Sequence, residues 1–66
     1  MKLSMKMDCL TSDMVHMLDA SLKYYDAKLT VHNGTTRLDA NVSDKEYAEL
    51  MVLTSCFEPY DVHLSR

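Results

Sequence analysis

A chain of 66 residues with one glycine and one proline makes one domain (residues 1–66) and leaves no room for linkers or a disordered tail. At this size only about 60% of the unfolded surface becomes buried, so the core is marginal and ordinarily leans on a disulfide, a metal or another subunit. Ten acids against seven bases give a net charge of −3, the wrong sign for a protein that lives by neutralising phosphates, and no apolar run approaches the length of a membrane span.

Leu3, Met5, Met7 and Cys9 alternate with Lys2, Ser4, Lys6 and Asp8. This period of two with one apolar face predicts a half-buried strand over 2–9. The same alternation denies Met1–Lys6 the continuous apolar core of a signal peptide, which favours a cytoplasmic protein. Thr11 or Ser12 then offers a helix N-cap, and Asp13 places a negative charge in the first turn. Met14, Leu18, Leu22 and Tyr25 come next at helical spacing and predict a helix over 12–25.

Ala27, Leu29 and Val31 alternate with Lys28, Thr30 and His32. Asn33-Gly34 comes after them, and a second alternating run extends to Ala40. Asn-Gly between such runs predicts a two-residue type I′ hairpin, because that turn needs positive φ at both central residues. The loop length sets the pairing: His32 with Thr35, Leu29 with Leu38 on the apolar face, Lys28 with Asp39 on the polar face. Apolar matching and charge matching agree on this one register.

Ser43-Asp44-Lys45-Glu46 is a capping box, with Val42 and Tyr47 as its hydrophobic staple. The helix it starts runs over 44–56, with Tyr47, Leu50, Met51 and Thr54 along one stripe. Glu58-Pro59 stops it, since the residue before proline is pushed out of the α region. Tyr60, Val62 and Leu64 alternate with Asp61 and His63 in a last short strand that Pro59 opens. The element order is β-α-β-β-α-β. The fold class is therefore α+β, an open-faced sandwich of a four-stranded, mostly antiparallel sheet with two helices on one face and water on the other.

Candidate chemistry is sparse. His16 lies between Asp13 and Asp19 on one helix face, a line that lacks the fourth nitrogen or sulfur ligand of a closed zinc site. The open sheet face gathers Lys2, Lys6, Lys28, Arg37, His32 and His63 around Asp8, Asp39 and Asp61. With no tyrosine and no Phe57 on that face, it lacks the stacking platform of an RNA-binding sheet. Cys9 and His16 have no third group to orient them as nucleophile and base. Met5, Met7, Met14 and Met51 fall on core-facing stripes, and Cys9 and Cys56 are expected to be reduced, buried thiols.

From Cys9 to Asp26 the chain resembles the bacterial histidine-containing phosphocarrier (HPr) family. Cys9-Leu10-Thr11-Ser12-Asp13-Met14-Val15-His16 aligns with that family's Gly-Ile-His-Ala-Arg-Pro-Ala-Thr, Met17-Leu18 with its helical Met-Leu, and Tyr25-Asp26 with its aromatic-Asp pair. His32-Asn33-Gly34-Thr35-Thr36 looks like its Tyr-Asn-Gly-Lys-Thr hairpin. The resemblance implies an HPr-like fold; a ferredoxin-like strand order is the alternative that the same element string allows. It does not carry the phosphotransfer chemistry. The phosphorylated histidine is replaced by Thr11, the neighbouring arginine by Asp13, and the regulatory serine by Asn41. The family's C-terminal helix has no counterpart.

The expected function is that of a non-enzymatic interaction module of a bacterial or phage-type cytoplasmic system, working through a protein partner or as a homodimer. The alternative is a small-ligand binder or a regulatory protein related to the phosphotransfer system. Neither cofactor nor metal, neither nucleic acid nor membrane, is expected. The interaction surface is expected where the missing helix would lie, at Leu53, Phe57, Tyr60 and Leu64.

Overall fold

Asn33 and Gly34 take φ of 49° and 79°, so the computed structural model, which describes all residues from Met1 to Arg66, turns its central hairpin through a type I′ loop. The two strands it joins, β2 (Asp26–His32) and β3 (Thr35–Asn41), pair without irregularity over seven positions. His32 opposes Thr35, Leu29 opposes Leu38 and Lys28 opposes Asp39, the register that apolar and charge matching both demand.

The first strand, β1 (Lys2–Asp8), lies antiparallel to β3 and also to the last strand, β4 (Tyr60–Ser65), giving the sheet order β2-β3-β1-β4. Each helix therefore bridges two strands that are not neighbours. β3 lies between β1 and β2, and β1 lies between β3 and β4. This is the split β-α-β arrangement, the ferredoxin-like order. Every pairing in the sheet is antiparallel.

Helix α1 (Ser12–Ser21) starts at Thr11, whose Oγ1 accepts the Met14 N–H, and it tightens into a single 3₁₀ turn over Leu22–Tyr24. Helix α2 (Asp44–Thr54) starts in a complete capping box. Ser43 Oγ accepts the Glu46 N–H at 3.2 Å and Glu46 Oε1 accepts the Ser43 N–H at 3.0 Å. Leu18 and Leu22 from the first helix and its 3₁₀ turn, and Leu50 and Thr54 from the second helix, close over one face of β1 and β3. There they meet Leu3, Met5, Met7, Thr36, Leu38 and Ala40, with Val42 beside them. Thr54 is buried without penalty because its hydroxyl donates to the Leu50 carbonyl one turn back.

Two expectations of burial fail. Met14 stands largely exposed on α1. Neither cysteine is inside: Cys9 takes φ of 62°, which ends β1 at Asp8 and swings the thiol out, and Cys56 sits on the outer side of a 3₁₀ turn over Ser55–Phe57. The stop after α2 also differs in kind. Glu58 adopts a left-handed conformation (φ 53°, ψ 58°) rather than the extended one usual before proline, and it turns the chain toward β4 as a left-handed C-cap does.

The largest departure lies in β4. Leu64 opposes Leu3 and His63 opposes Ser4, but Tyr60 opposes Lys6. Two residues of β4, Asp61 and Val62, thus face the single residue Met5, a β-bulge, and Asp61 carries its positive φ of 50°. Aspartate tolerates that conformation better than most residues. Had the Leu3–Leu64 register run on, Tyr60 would face Met7 on the core side. The extra residue rotates it onto the open face instead.

Two substitutions separate the local signals that build this frame. Ser43→Ala removes the cap and should cost about 1 kcal/mol. Gly34→Val meets no steric obstacle, since a Cβ there has nothing within 4 Å, yet it forces a β-branched residue to positive φ and should cost about 1–2 kcal/mol. Urea melts showing both variants unchanged would contradict this account of the turn and the cap.

Candidate functional site

The open face of the sheet holds most of the side-chain polar contacts that join distant parts of the chain. Asp8 Oδ1 accepts two hydrogen bonds there, from Thr35 Oγ1 and from the Tyr60 hydroxyl, each at 2.9 Å. The first ties β1 to the hairpin end and the second ties it to β4. Beside them Lys6 Nζ lies 3.5 Å from Asp61 Oδ2, and Arg37 Nε donates to both oxygens of Asp39, at 3.2 and 3.0 Å. All four charged groups are solvent-accessible, so these pairs set geometry more than stability.

Lys6, Arg37 and His32 line a shallow depression of about 350 Å³ together with Thr30, Asn33 and Thr35. Its six lining residues are all polar or basic, though much of the surface they present is the carbon of their stems, and none is a carboxylate. Arg37 engages Asp39 through Nε, so its terminal nitrogens remain available as donors. Asn33 Nδ2 lies 3.3 Å from His32 Nε2, which holds the histidine at the rim. Lys6, Arg37 Nε and Thr35 are already engaged by Asp61, Asp39 and Asp8, so the donors left to this depression are chiefly the Arg37 terminal nitrogens.

Tyr60 is the aromatic residue that sequence pattern misplaces. It is 40% exposed on this face, where the alternation of Tyr60, Val62 and Leu64 puts no aromatic at all. The signal that could have found it is a single aspartate in the strand at a position able to take positive φ, which composition alone does not flag. Its phenol is held protonated above the ordinary value of 10.0, first by the hydrogen bond to Asp8, then by partial desolvation and the nearby negative charges of Asp8 and Asp61; the Thr35 hydroxyl opposes this. Tyr25 is likewise raised, by desolvation first and then by Glu49 and Glu46 of α2.

Of the expected interaction residues, Tyr60 lies apart from the other three. Leu53 and Phe57 are half-buried and pack against the main core. Leu64 sits 40% exposed on the helix-covered side of the edge strand, and Tyr60 lies on the opposite side of the sheet because of the bulge. The surface expected from sequence is therefore divided by the sheet itself. His16 lies at a smaller depression with Leu10, Ser12, Val15 and Val31, and nowhere do three metal-ligating side chains converge. No helix is long and apolar enough to cross a membrane.

Comparison with protein-family models, curated proteins and solved structures finds no match to this chain.

The Asp8–Tyr60 bond has a direct optical readout. In Asp8→Asn the acceptor loses its charge, and one tyrosine should titrate nearer the ordinary phenol range than in the parent protein. Because the folded-state value is raised, the bond stabilises below the unfolded phenol range and its contribution is lost as pH rises through the folded value. An ultraviolet titration in which all four tyrosines are unmoved by Asp8→Asn would mean that the bond does not form in solution.

Proposed function

We propose that this protein is a non-enzymatic interaction module that acts by self-association. The observation that carries the reading is the size of its interior. Eleven of 66 residues are buried, and nine of these are apolar. Chains of this size draw on a staple, and the two cysteines are unpaired. A second copy supplies the missing burial at least cost in new sequence, because one self-complementary surface serves both partners.

A second reading has its own observation. Lys6, Arg37 and His32 line one polar depression. Lys6 is paired with Asp61 and Arg37 Nε with Asp39, which leaves the terminal nitrogens of Arg37 as donors for a small oxyanion, and a small-ligand binder on this scaffold would use them. Titrating inorganic phosphate into isotope-labelled protein should then shift the amides of His32, Asn33, Thr35 and Arg37, and Arg37→Ala should abolish the shifts. Flat titrations in physiological salt would remove this reading.

Self-association is tested by sedimentation equilibrium over a hundredfold range of micromolar concentrations. The average mass should climb from 7.6 kDa toward twice that value, and the melting temperature should rise with concentration. An ideal 7.6 kDa monomer throughout, with a fixed melting temperature, would reject it.

A further inference from the structure

The two edges of the sheet are not equivalent. β4 is blunted by the bulge at Asp61, which breaks its register with β1 between Ser4 and Lys6, and by Pro59 at its start. These are the devices by which edge strands avoid pairing with one another. β2 has none of them. It runs seven residues in unbroken register with β3, and at its far end Val31 is 57% exposed, more than any other large apolar side chain in the sheet.

We infer that two copies of this chain pair antiparallel through their β2 edges, with the two-fold axis at Leu29. The inference rests on the self-association reading and adds the surface and the register. The turn dictates the direction of the backbone groups. A two-residue loop closes on a hydrogen-bonded pair, here His32 and Thr35. Hydrogen-bonded and non-bonded pairs alternate along an antiparallel ladder. The N–H and C=O groups of His32, Thr30, Lys28 and Asp26 therefore point to β3, and those of Ala27, Leu29 and Val31 point away from the sheet, unused.

Side chains then choose among registers. Residues directly opposite must share a face, so within β2 the axis can fall at Lys28, Leu29 or Thr30 with useful overlap. An axis at Lys28 sets Lys28 against its own copy. An axis at Thr30 sets Lys28 against His32. An axis at Leu29 sets Asp26 against His32 twice, once at each end, and places Lys28 opposite Thr30. Like charges directly opposite destabilise, which removes the Lys28 axis. The Thr30 axis runs Ala27 against Asn33 of the turn, whereas the Leu29 axis keeps every pair within the strand and lets the Asp26 carboxylate accept a hydrogen bond from the His32 imidazole, so the Leu29 axis is selected. It also engages all three outward residues, Ala27 with Val31, Leu29 with Leu29, and Val31 with Ala27. The exposed Val31 gains an apolar neighbour, and the inner face continues across the axis as one apolar strip. The polar face continues as one sheet of eight strands, which brings Asp26 of the second copy beside His32 at the rim of the shallow depression.

The test is amide hydrogen exchange by NMR on the full chain at low and high concentration, run beside sedimentation. The amides of Ala27, Leu29 and Val31 should exchange freely when dilute and gain protection as the dimer forms. Asp26→Lys alone and His32→Asp alone should each weaken the dimer, on the order of tenfold in dissociation constant, and Asp26→Lys/His32→Asp together should restore it. Both positions are exposed, so monomer melts should barely move and will show that the variants fold. A dimer in which those three amides stay unprotected would overturn the β2 interface while leaving self-association intact. Protection without rescue by the double exchange would overturn the Leu29 register. A monomer at all concentrations would overturn the proposal together with the reading beneath it.

Discussion

Everything in this fold hangs on the inner face of β1. The strand is hydrogen-bonded on both sides, to β3 and to β4, and its three inward side chains, Leu3, Met5 and Met7, are almost fully buried. Both helices are held on the sheet by packing against those residues and their neighbours Leu38 and Ala40 on β3. A domain of this size has roughly 3–10 kcal/mol of stability in total. Truncating one such buried side chain to alanine costs about 2–5 kcal/mol. One residue of β1 is therefore worth a large share of the whole, and no second core exists to compensate. The outer strands share this dependence unequally. Ala27 and Leu29 of β2 are half-covered, while Val31, Val62 and Leu64 stand more exposed at the margin.

That arrangement explains why the polar face carries ties of its own. β4 contributes little to the interior, so its attachment depends on its ladder with β1 and on the contacts of Tyr60 and Asp61 across the open face. Asp8 is where these meet: one carboxylate oxygen joins the chain's first strand, its hairpin tip and its last strand. Without the bulge, Tyr60 would point at Met7 and the hydroxyl would need a partner inside an apolar core. With it, the ring lies against the sheet and its hydroxyl reaches a charged acceptor in water.

Most of the frame was legible in the residues because its signals are short-range and mutually consistent. Asn33-Gly34 forces the turn, the turn forces the register, and Leu29–Leu38 with Lys28–Asp39 agree with it. Ser43 and Glu46 announce α2 within four residues. The failures share a different cause. Cys9, Glu58 and Asp61 all take left-handed backbone without being glycine, and alternation cannot anticipate where a non-glycine residue will do so. Each one redirects a neighbouring group: a thiol outward, a helix end into a turn, a tyrosine across the sheet. Strand order was illegible for another reason. The β-α-β-β-α-β string says which strands exist, and only long-range packing decides that β1 sits between β3 and β4. Of the candidate surface at Leu53, Phe57, Tyr60 and Leu64, the bulge moves Tyr60 to the other face of the sheet, which alternation through an unbroken β4 does not anticipate.

The bulge also makes the two edges differ: one is irregular and the other is not. A short sheet with two free edges is exposed to indiscriminate pairing. In β4 the same left-handed aspartate that turns Tyr60 to the open face breaks the straight row of backbone groups, so the structural tie and the edge protection are one feature. β2 cannot be protected in that way without cost to the fold, because its register with β3 is set by a two-residue turn, and an inserted residue would move Leu29 off Leu38 and Ala27 off Ala40. The strand that must stay regular to complete the core is therefore also the strand left open. Its only discrimination is the polar sequence along it, Asp26 at one end, Lys28 between and His32 at the far end, and reversal about Leu29 sets Asp26 opposite His32 and Lys28 opposite Thr30 with no like charges opposed.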